Sequence, residues 1–454
     1  MDQRQHVDLL SVLSAEEPPA ELDLNGLVFG EAVRISGITI KTFLNIGDAV
    51  FHGPVSFAGC TFLEEVNIFR TRFIGHVTFE NCTFEKMAAF RPKEMLELNL
   101  TSSVFKDDVE VALPDDRNAK LTMQYATVHK VAEIKSLSYG TPLYLRHVKF
   151  NAINLGEMVV ESNASLTISG VACQKLFANK LTLRDKSNCL LQDVRPKAMY
   201  FHDIQVPASA MVTLVRVSLD KAFFTGTNIE KFRMLNVSWR IFKGREALWQ
   251  EALLRTKPKT AQRDERSKSL QDLFEEVAEN YRQLVLNYEA QRNYELAEKF
   301  HIGEMELTRL RQAERLPRWL GRLRGVLNLH WLYWISSGYG TNYGRAALAL
   351  IVILLAFSVG FMFSGIRMKD HTEIAYSLNV FRADLRAPPV AEILRDATAA
   401  GATTLSIVTL QKERPADPVG VRGSVIVSLL SMFASAQATL FVFALRRRFR
   451  RASI

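Results

Sequence analysis

The stretch FHGPVSFAGCTFLEEVNIFRTRFIGHVTFENCTFEKMAAF, residues 51–90, decides the fold of this 454-residue chain. Large apolar residues recur in it every eleven positions, and the same spacing extends back to Leu24 and forward to Met95. Three registers keep this period in phase. They are Phe29, Ile40, Phe51, Phe62, Phe73, Phe84 and Met95; Leu24, Ile35, Ile46, Phe57, Ile68, Phe79 and Phe90; and Val33, Leu44, Val55, Val66, Val77 and Ala88. A period sustained over this length indicates a repeat architecture.

Each repeat reads apolar–x–apolar, then four residues, then one more apolar residue, as in Val77-Thr-Phe79 followed by Phe84. Two apolar residues two positions apart face the same side of a strand, whereas this spacing does not hold one face of an α-helix. Segments such as Asn81-Cys82-Thr83 favour turns. The sequence therefore predicts short strands that turn corners and stack into a β-solenoid over residues 21–240. The buried stack accounts for the 28 phenylalanines.

Two repeats make a coil of 22 residues, so Cys60 and Cys82 are expected to stack in the same corner. Packing of two small residues is favoured there over a disulfide or a metal site, because the four cysteines form no CxxC pair and no zinc-type His–Cys spacing. The alternation weakens over residues 101–141, which leaves room for a loop or an insertion. Residues 1–20 are expected to form a polar N-terminal tail without a secretion signal.

After Trp239 the composition changes to helix-forming residues, and residues 241–324 are predicted to form a helical connector. Apolar residues at helical spacing predict helices from Leu270 to Tyr288 and from Tyr294 to about Arg315. This α-helical hairpin resembles a single tetratricopeptide-type helix pair, and one such pair cannot form a superhelix. We expect it to pack against the end of the solenoid and to cover the open β edge.

Two apolar stretches predict transmembrane helices at residues 345–366 and 423–445, because a bilayer core about 30 Å thick needs roughly 20 apolar residues of helix. The alternative, two buried helices of a soluble protein, is disfavoured by the basic flanks of both stretches. Residues 325–344 are expected to be an interfacial aromatic segment, and residues 367–422 an extracytoplasmic or re-entrant loop. The expected membrane-interface residues are Trp331, Tyr333, Trp334, Tyr339 and Tyr343.

Five of the arginines behind the net charge of +9 lie in the last nine residues. The positive-inside rule then predicts a multi-pass inner-membrane protein with both termini cytoplasmic and a basic tail at residues 446–454. Arginines expected to contact lipid phosphate and to orient the chain are Arg315, Arg318, Arg322, Arg324, Arg446, Arg447, Arg448, Arg450 and Arg451. A specific regulatory lipid site is the alternative. No nucleic-acid partner is expected, because such a partner needs a distributed basic stripe or patch.

Units such as Phe51-His-Gly-Pro-Val-Ser-Phe57 and Phe73-Ile-Gly-His-Val-Thr-Phe79 resemble a divergent pentapeptide-repeat β-helix. Together with the stretch from Tyr281 to Arg315, Ser337-Gly-Tyr-Gly340 and residues 437–449, they make the chain similar to a bacterial group of pentapeptide-repeat membrane proteins. The resemblance implies a mainly β fold, with a right-handed β-helix followed by an α-helical hairpin and two transmembrane helices. It also implies that the spans sometimes form a two-helix pore module.

Motifs of enzyme chemistry are missing from the sequence. It holds no GxxxxGK[ST], HExxH or GxSxG, and Ser218-Leu-Asp-Lys221 lacks the partner motifs of an SxxK enzyme. We therefore expect no enzyme, no catalytic residue, no cofactor and no metal. The leading expectation is a macromolecular interaction or sensing scaffold that forms a homo-oligomer, with membrane lipid and an unidentified protein on the β-helix as its partners.

The alternative function is an ion channel-like or membrane-disrupting effector that the β-helix gates. Leu405 to Leu410 is similar to the pore helix of a re-entrant loop, with Ser406, Val408 and Thr409 as the candidate pore-helix residues. A potassium filter needs a TVGYG-like strand after that helix. Gln411-Lys-Glu-Arg-Pro415 follows instead, so a channel of this kind would not be potassium-selective.

Overall fold

The computed structural model describes residues 21–114, 119–135, 143–258, 268–315, 328–368, 373–374, 376, 390–409, 411 and 414–452. The chain divides into two units, Met1–Leu307 and Thr308–Ile454. Within the described residues, the first unit contains a β-solenoid followed by helices, and the second contains helices and a small sheet.

Four ladders of parallel strands build the solenoid. Ladder 1 contains Glu21–Asp23, Phe43–Gly47, Val66–Phe69, Ala88–Arg91 and Val109–Ala112. Ladder 2 contains Val28–Phe29, Val50–Phe51 and Arg72–Phe73, and later Val159–Val160 and Thr182–Leu183. Ladder 3 contains Val33–Ser36, Val55–Ala58, Val77–Glu80, Glu97–Asn99, Lys120–Gln124, Leu143–Arg146, Ser165–Ser169, Asn188–Gln192, Met211–Val215 and Phe232–Leu235. Ladder 4 contains Thr39–Ile40, Thr61–Phe62, Thr83–Phe84 and Val104–Phe105.

In the later coils, long strands continue ladders 1 and 4 together, and we call this part the wide sheet. Its strands are Thr127–Lys135, Lys149–Asn154, Ala172–Phe177, Arg195–His202 and Ala222–Thr225. Because each long strand bends around a corner that a turn occupies in earlier coils, the repeat pattern is hard to see in the sequence there. The described part of residues 101–141 thus consists of strands joined by short turns, and the loop or insertion expected in it is wrong for those residues.

Consecutive eleven-residue repeats lie in different ladders, and every second repeat returns to the same ladder. Val33 pairs with Val55, and Val55 with Val77, so the chain returns to the same ladder after 22 residues. Phe29, Phe51 and Phe73 stack in ladder 2 with ring centroids 4.6 and 5.2 Å apart. The predicted β-solenoid and its 22-residue coil are confirmed in these coils, and stacked rings fill the core.

Small residues occupy the corner that precedes ladder 4 or ladder 2. The Cys82 Sγ lies 3.4 Å from the carbonyl oxygen of Phe57, and Ser103 Oγ donates to the Phe79 carbonyl at 2.9 Å. The Cys60 Sγ lies in the same way 3.7 Å from the carbonyl oxygen of Ile35. Both cysteines are buried free thiols. Packing in the corner is therefore what the structure shows for the two residues.

Three helices of the described residues follow the last coil and a short antiparallel hairpin, Arg240–Phe242 with Arg245–Ala247. They are α1 (Trp249–Thr256), α2 (Leu270–Ala290) and α3 (Tyr294–Arg315). A capping box between Ser269 and Asp272 begins α2. The predicted helical hairpin is confirmed.

The second unit contains α4 (Leu329–Ser337), α5 (Tyr343–Ser364), α6 (Val390–Val408) and α7 (Gly420–Ala452). Ile366–Met368 pairs with Glu373–Ile374 and with Ala416–Pro418 in an antiparallel sheet. The segment predicted as a loop at residues 367–422 therefore holds α6 and most of this sheet. Helix α7 also runs through most of the predicted tail at residues 446–454.

Candidate functional site: the solenoid cap and the span module

Side-chain amides from α1 and α2 satisfy the backbone at the open end of the last coil. Gln250 accepts from the Phe224 amide at 3.1 Å and donates to the Phe224 carbonyl at 2.9 Å. Asn287 donates to the carbonyls of Ile229 and Glu230 at 3.2 and 2.9 Å. An amide side chain carries a donor and an acceptor, as a peptide group does. These residues therefore take the place of a further strand.

Helix α2 supplies this contact because its amides share one face. Asn280, Gln283 and Asn287 lie three and four positions apart, which is one helical turn each. Asn280 donates to the Phe224 carbonyl at 2.6 Å, and Gln283 accepts from the Ile229 amide at 2.8 Å. The sequence predicts that the hairpin covers the β edge, but it did not identify these residues. A row of amides on an otherwise apolar helical face is the signal that could have found them.

A buried charged cluster lies beside this cap. The guanidinium of Arg245 donates to both carboxylate oxygens of Glu251 at 2.7 and 2.6 Å, and Arg255 donates to the same carboxylate at 2.9 Å. Tyr281 also donates its hydroxyl proton to Glu251 and accepts from the Leu248 amide at 2.8 Å. Burial raises the pKa of Tyr281, so it stays a neutral donor. Since each of these groups is bonded, the cluster holds α1 and α2 together.

Helix α3 contacts the same cluster at Gly303, where the absence of a side chain allows close packing. A Cβ atom on Gly303 would lie 2.7 Å from Tyr281 Cζ and 2.9 Å from Arg245 Nη1, both too close. Phe300 packs edge-on against Trp239 with ring centroids 5.1 Å apart. The last coil and the three helices are thus tightly interlocked through α3.

In the second unit, α6 packs against both long apolar helices, α5 and α7. Its polar side chains face this packing: Thr403, Thr404 and Ser406 are buried. Ser358 of α5 donates to or accepts from Thr404 at 3.0 Å. Tyr376 donates to Asp396 of α6 at 2.7 Å, and Asp396 is 5% exposed. Helices α5 and α7 also pack directly against each other, with α6 against the pair. We call these three helices the span module.

Gln437 joins the ends of this module. Its amide nitrogen donates to the carbonyl of Ser336 at 3.0 Å and to that of Ala346 at 2.9 Å. These contacts tie the middle of α7 to the end of α4 and the first turn of α5. A buried side-chain amide with two backbone partners is a strong positioning contact where water is excluded.

The predicted interface aromatics divide into two groups. Trp334 and Tyr343 are exposed and Trp331 and Tyr333 are half-buried, and their contact with lipid stays a prediction. Tyr339 is fully buried and packs edge-on against Tyr333 with ring centroids 5.7 Å apart. The interface assignment is therefore corrected for Tyr339, because its ring has no surface outside the module.

The other predicted residues are only partly described. Arg315 and Arg446 are exposed. Arg318, Arg322 and Arg324 lie outside the described residues, and so do the side chains of Arg447, Arg448, Arg450 and Arg451. Ser406 is buried and bonds the Thr403 carbonyl at 2.8 Å, Val408 is half-buried, and Thr409 is exposed beyond the end of α6. A pore role for these three residues stays a prediction.

The surface of α5 and α7 is apolar. Both helices are long and apolar enough to cross a membrane. Large apolar side chains at least 40% exposed are Leu348, Ile351, Val352, Leu355, Val359 and Phe363 on α5, and Val421, Val425, Leu429, Met432, Phe433, Val442, Phe443 and Phe449 on α7. In the part of the chain that the structure describes, no three metal-ligating side chains come together.

Residues 46–91 match the family model of pentapeptide repeats, in nine copies. The match lies within the coils where ladders 1 to 4 are most regular, and this part of the chain is a pentapeptide-repeat solenoid. No curated protein and no solved structure matches the chain.

Proposed function

We propose that the chain is a non-enzymatic scaffold that is anchored in the inner membrane by α5 and α7. Its solenoid binds or senses a macromolecule in the cytoplasm, where both termini lie, and several copies of the chain associate. A pentapeptide-repeat solenoid supports this role because stacked coils offer long flat ladders of side chains and little concave surface for small-molecule chemistry.

The observation that carries the proposal is the exposed apolar surface of α5. Of its 22 residues only Ala346 and Phe361 are buried, and Leu355 is 62% exposed. A soluble protein does not leave so continuous an apolar surface in water. Lipid, or lipid together with other copies of α5 and α7, covers such a surface at the lowest cost in free energy.

Two measurements test the scaffold. Membranes that contain the full chain are washed with alkaline carbonate, and the chain is expected to leave them only when detergent is added. Photoreactive residues are then placed in cells at Thr167 and Thr213 of ladder 3, and at Arg184 outside it as a contrast. A scaffold gives the same adduct mass from both ladder 3 positions, which lie two coils apart. Release of the chain by carbonate would contradict the membrane anchor. The absence of adducts at every position would contradict the macromolecular partner.

A second function, a pore gated by the solenoid, is favoured by one observation. Helix α6 packs polar side chains against α5 and α7, and Ser358 of α5 bonds Thr404 of α6. Two spans per chain line a pore only when several chains assemble. Purified full chain in liposomes under voltage clamp tests this: a pore gives unitary currents that Thr404→Val changes. Silence at every potential, in a preparation that is oligomeric by mass, excludes conduction.

A further inference from the structure

The outer side of the wide sheet loses its acidic residues and gains aromatic ones in the last coils. The strands Lys149–Asn154, Ala172–Phe177, Arg195–His202 and Ala222–Thr225 contain no aspartate or glutamate. Their inward residues, such as Leu176 and Met199, are buried, so the residues next to them point outward. We call this outer side the basic aromatic face.

Aromatic rings form a column on this face. Phe177, Tyr200 and Phe223 are paired in register across three strands. Their ring centroids lie 4.8 and 4.9 Å apart, with planes 12° and 5° from parallel. All three are half-exposed, and in the earlier coils the same column holds Asn67, Ala89 and Glu110 instead. The aromatic column is therefore not part of the repeat.

Cations lie beside the rings. Lys175 precedes Phe177 by two positions and Lys221 precedes Phe223 by two, so strand alternation puts them on the same side as the rings. Lys149, Lys175 and Lys197 are exposed, and no ion pair joins them to a carboxylate within the described residues. Lys221 lies over the Trp249 ring, 5.4 Å from its centroid.

Several cations elsewhere on the solenoid are paired with carboxylates. Arg70 pairs with Asp48 at 3.1 Å, Lys106 with Glu85 at 2.6 Å and Lys130 with Asp107 at 2.6 Å. Each of these carboxylates lies one coil before its cation and neutralises it. Within the described residues Lys149, Lys175 and Lys197 have no such carboxylate, so their charge is available to an external anion.

We propose that the basic aromatic face binds anionic lipid headgroups. Lysine near half-exposed aromatic rings suits the membrane interface, where each cation gains attraction to anionic lipid and the rings lie at headgroup depth. Lipid is favoured over an acidic protein because the apolar helices α5 and α7 keep the chain at a membrane, which holds headgroups at high effective concentration near the solenoid. The proposal concerns lipid and goes beyond the scaffold's macromolecular partner.

Lysine acetylation of the full chain in nanodiscs tests this. One set of discs contains only phosphatidylcholine and the other also contains phosphatidylglycerol, and mass spectrometry follows each lysine. We expect Lys149, Lys175 and Lys197 to react at least about fivefold more slowly in the anionic discs. Lys41, in an early coil, should react equally in both. High salt should abolish the difference, because it screens exposed charges.

Matched charge variants locate the effect. In K149E/K175E/K197E, the remaining Lys221 should react equally fast in both discs, whereas R34E/K41E/R184E, with the same change in charge elsewhere on the solenoid, should keep Lys221 protected. Equal rates for the wild-type lysines in both discs would overturn the proposal. So would protection by soluble polyglutamate in phosphatidylcholine discs with none from phosphatidylglycerol, since the face would then belong to an acidic macromolecule.

Discussion

Phe62 and Phe84 stack with ring centroids 4.7 Å apart and planes 4° from parallel, although 22 residues separate them in sequence. Phe105 continues the stack at 4.6 Å from Phe84. The spacing equals that of paired strands, so each ring sits directly on the one in the preceding coil. Side chains in the core thus repeat the register of the backbone.

The first prediction concerns this stack. Phe84 is fully buried, so Phe84→Ala should lower the free energy of unfolding by about 3–5 kcal/mol through lost burial and an unfilled cavity. Phe69→Ala is the control: Phe69 is 44% exposed, and the change should stay within about 0.5 kcal/mol. Urea unfolding of the full chain in detergent, followed by circular dichroism, measures both. Equal losses would mean that Phe84 is not in a packed core.

The second prediction concerns the cap. Asn287→Ala leaves the carbonyls of Ile229 and Glu230 without their partner, at about 1–3 kcal/mol for each buried group that stays unsatisfied. The end of the sheet then also becomes available for edge-to-edge pairing. We expect lower stability and a shift to larger species in size-exclusion chromatography with light scattering. Glu289→Ala, an exposed change in the same helix, should do neither. A cap that tolerates Asn287→Ala would show that α2 does not replace a strand.

The third prediction concerns the buried cluster. Glu251→Ala removes the carboxylate that neutralises Arg245, and leaving a buried charge unpaired costs about 3–5 kcal/mol. Asp220→Ala removes an exposed partner of Arg240 at 3.5 Å and should cost less than about 1 kcal/mol. Differential scanning calorimetry of the two variants compares them. If Glu251→Ala were the milder change, the helices would be held by packing alone.

The fourth prediction concerns pH. Burial of Glu110 would raise the pKa of its carboxyl group, but hydrogen bonds from Arg91 and Lys135 outweigh it and hold that pKa below the usual value. A lowered pKa in the folded state stabilises the protein above the unfolded value, and this contribution disappears as the pH falls through the folded pKa. Stability should therefore fall below about pH 4.3, and less steeply in Glu110→Gln. Parallel acid profiles of the two proteins would contradict this.

The eleven-residue period and the residue types of each segment predict much of the fold, but not all of the candidate site. The spacing of Phe62 and Phe84 predicts both the strand and its stacking because every coil repeats the same pattern. The sequence predicts a pore helix from Leu405 to Leu410 but misses residues 390–404 of α6. The many alanines and threonines there resemble neither a lipid-facing span nor a water-facing helix. The role of Asn287 depends on which surface α2 meets, and the burial of Tyr339 depends on the turn after α4. Each is a single tertiary contact, so no repeating pattern in the sequence could have predicted it.

Electron cryo-microscopy of the full chain in lipid nanodiscs tests the central claim most directly, namely that a pentapeptide-repeat solenoid is tethered to a bilayer by α5 and α7. The account predicts two helical rods per chain through the disc, with the stacked coils and their three-helix cap outside it. A map with α5 and α7 outside the lipid, covered by protein, would contradict it.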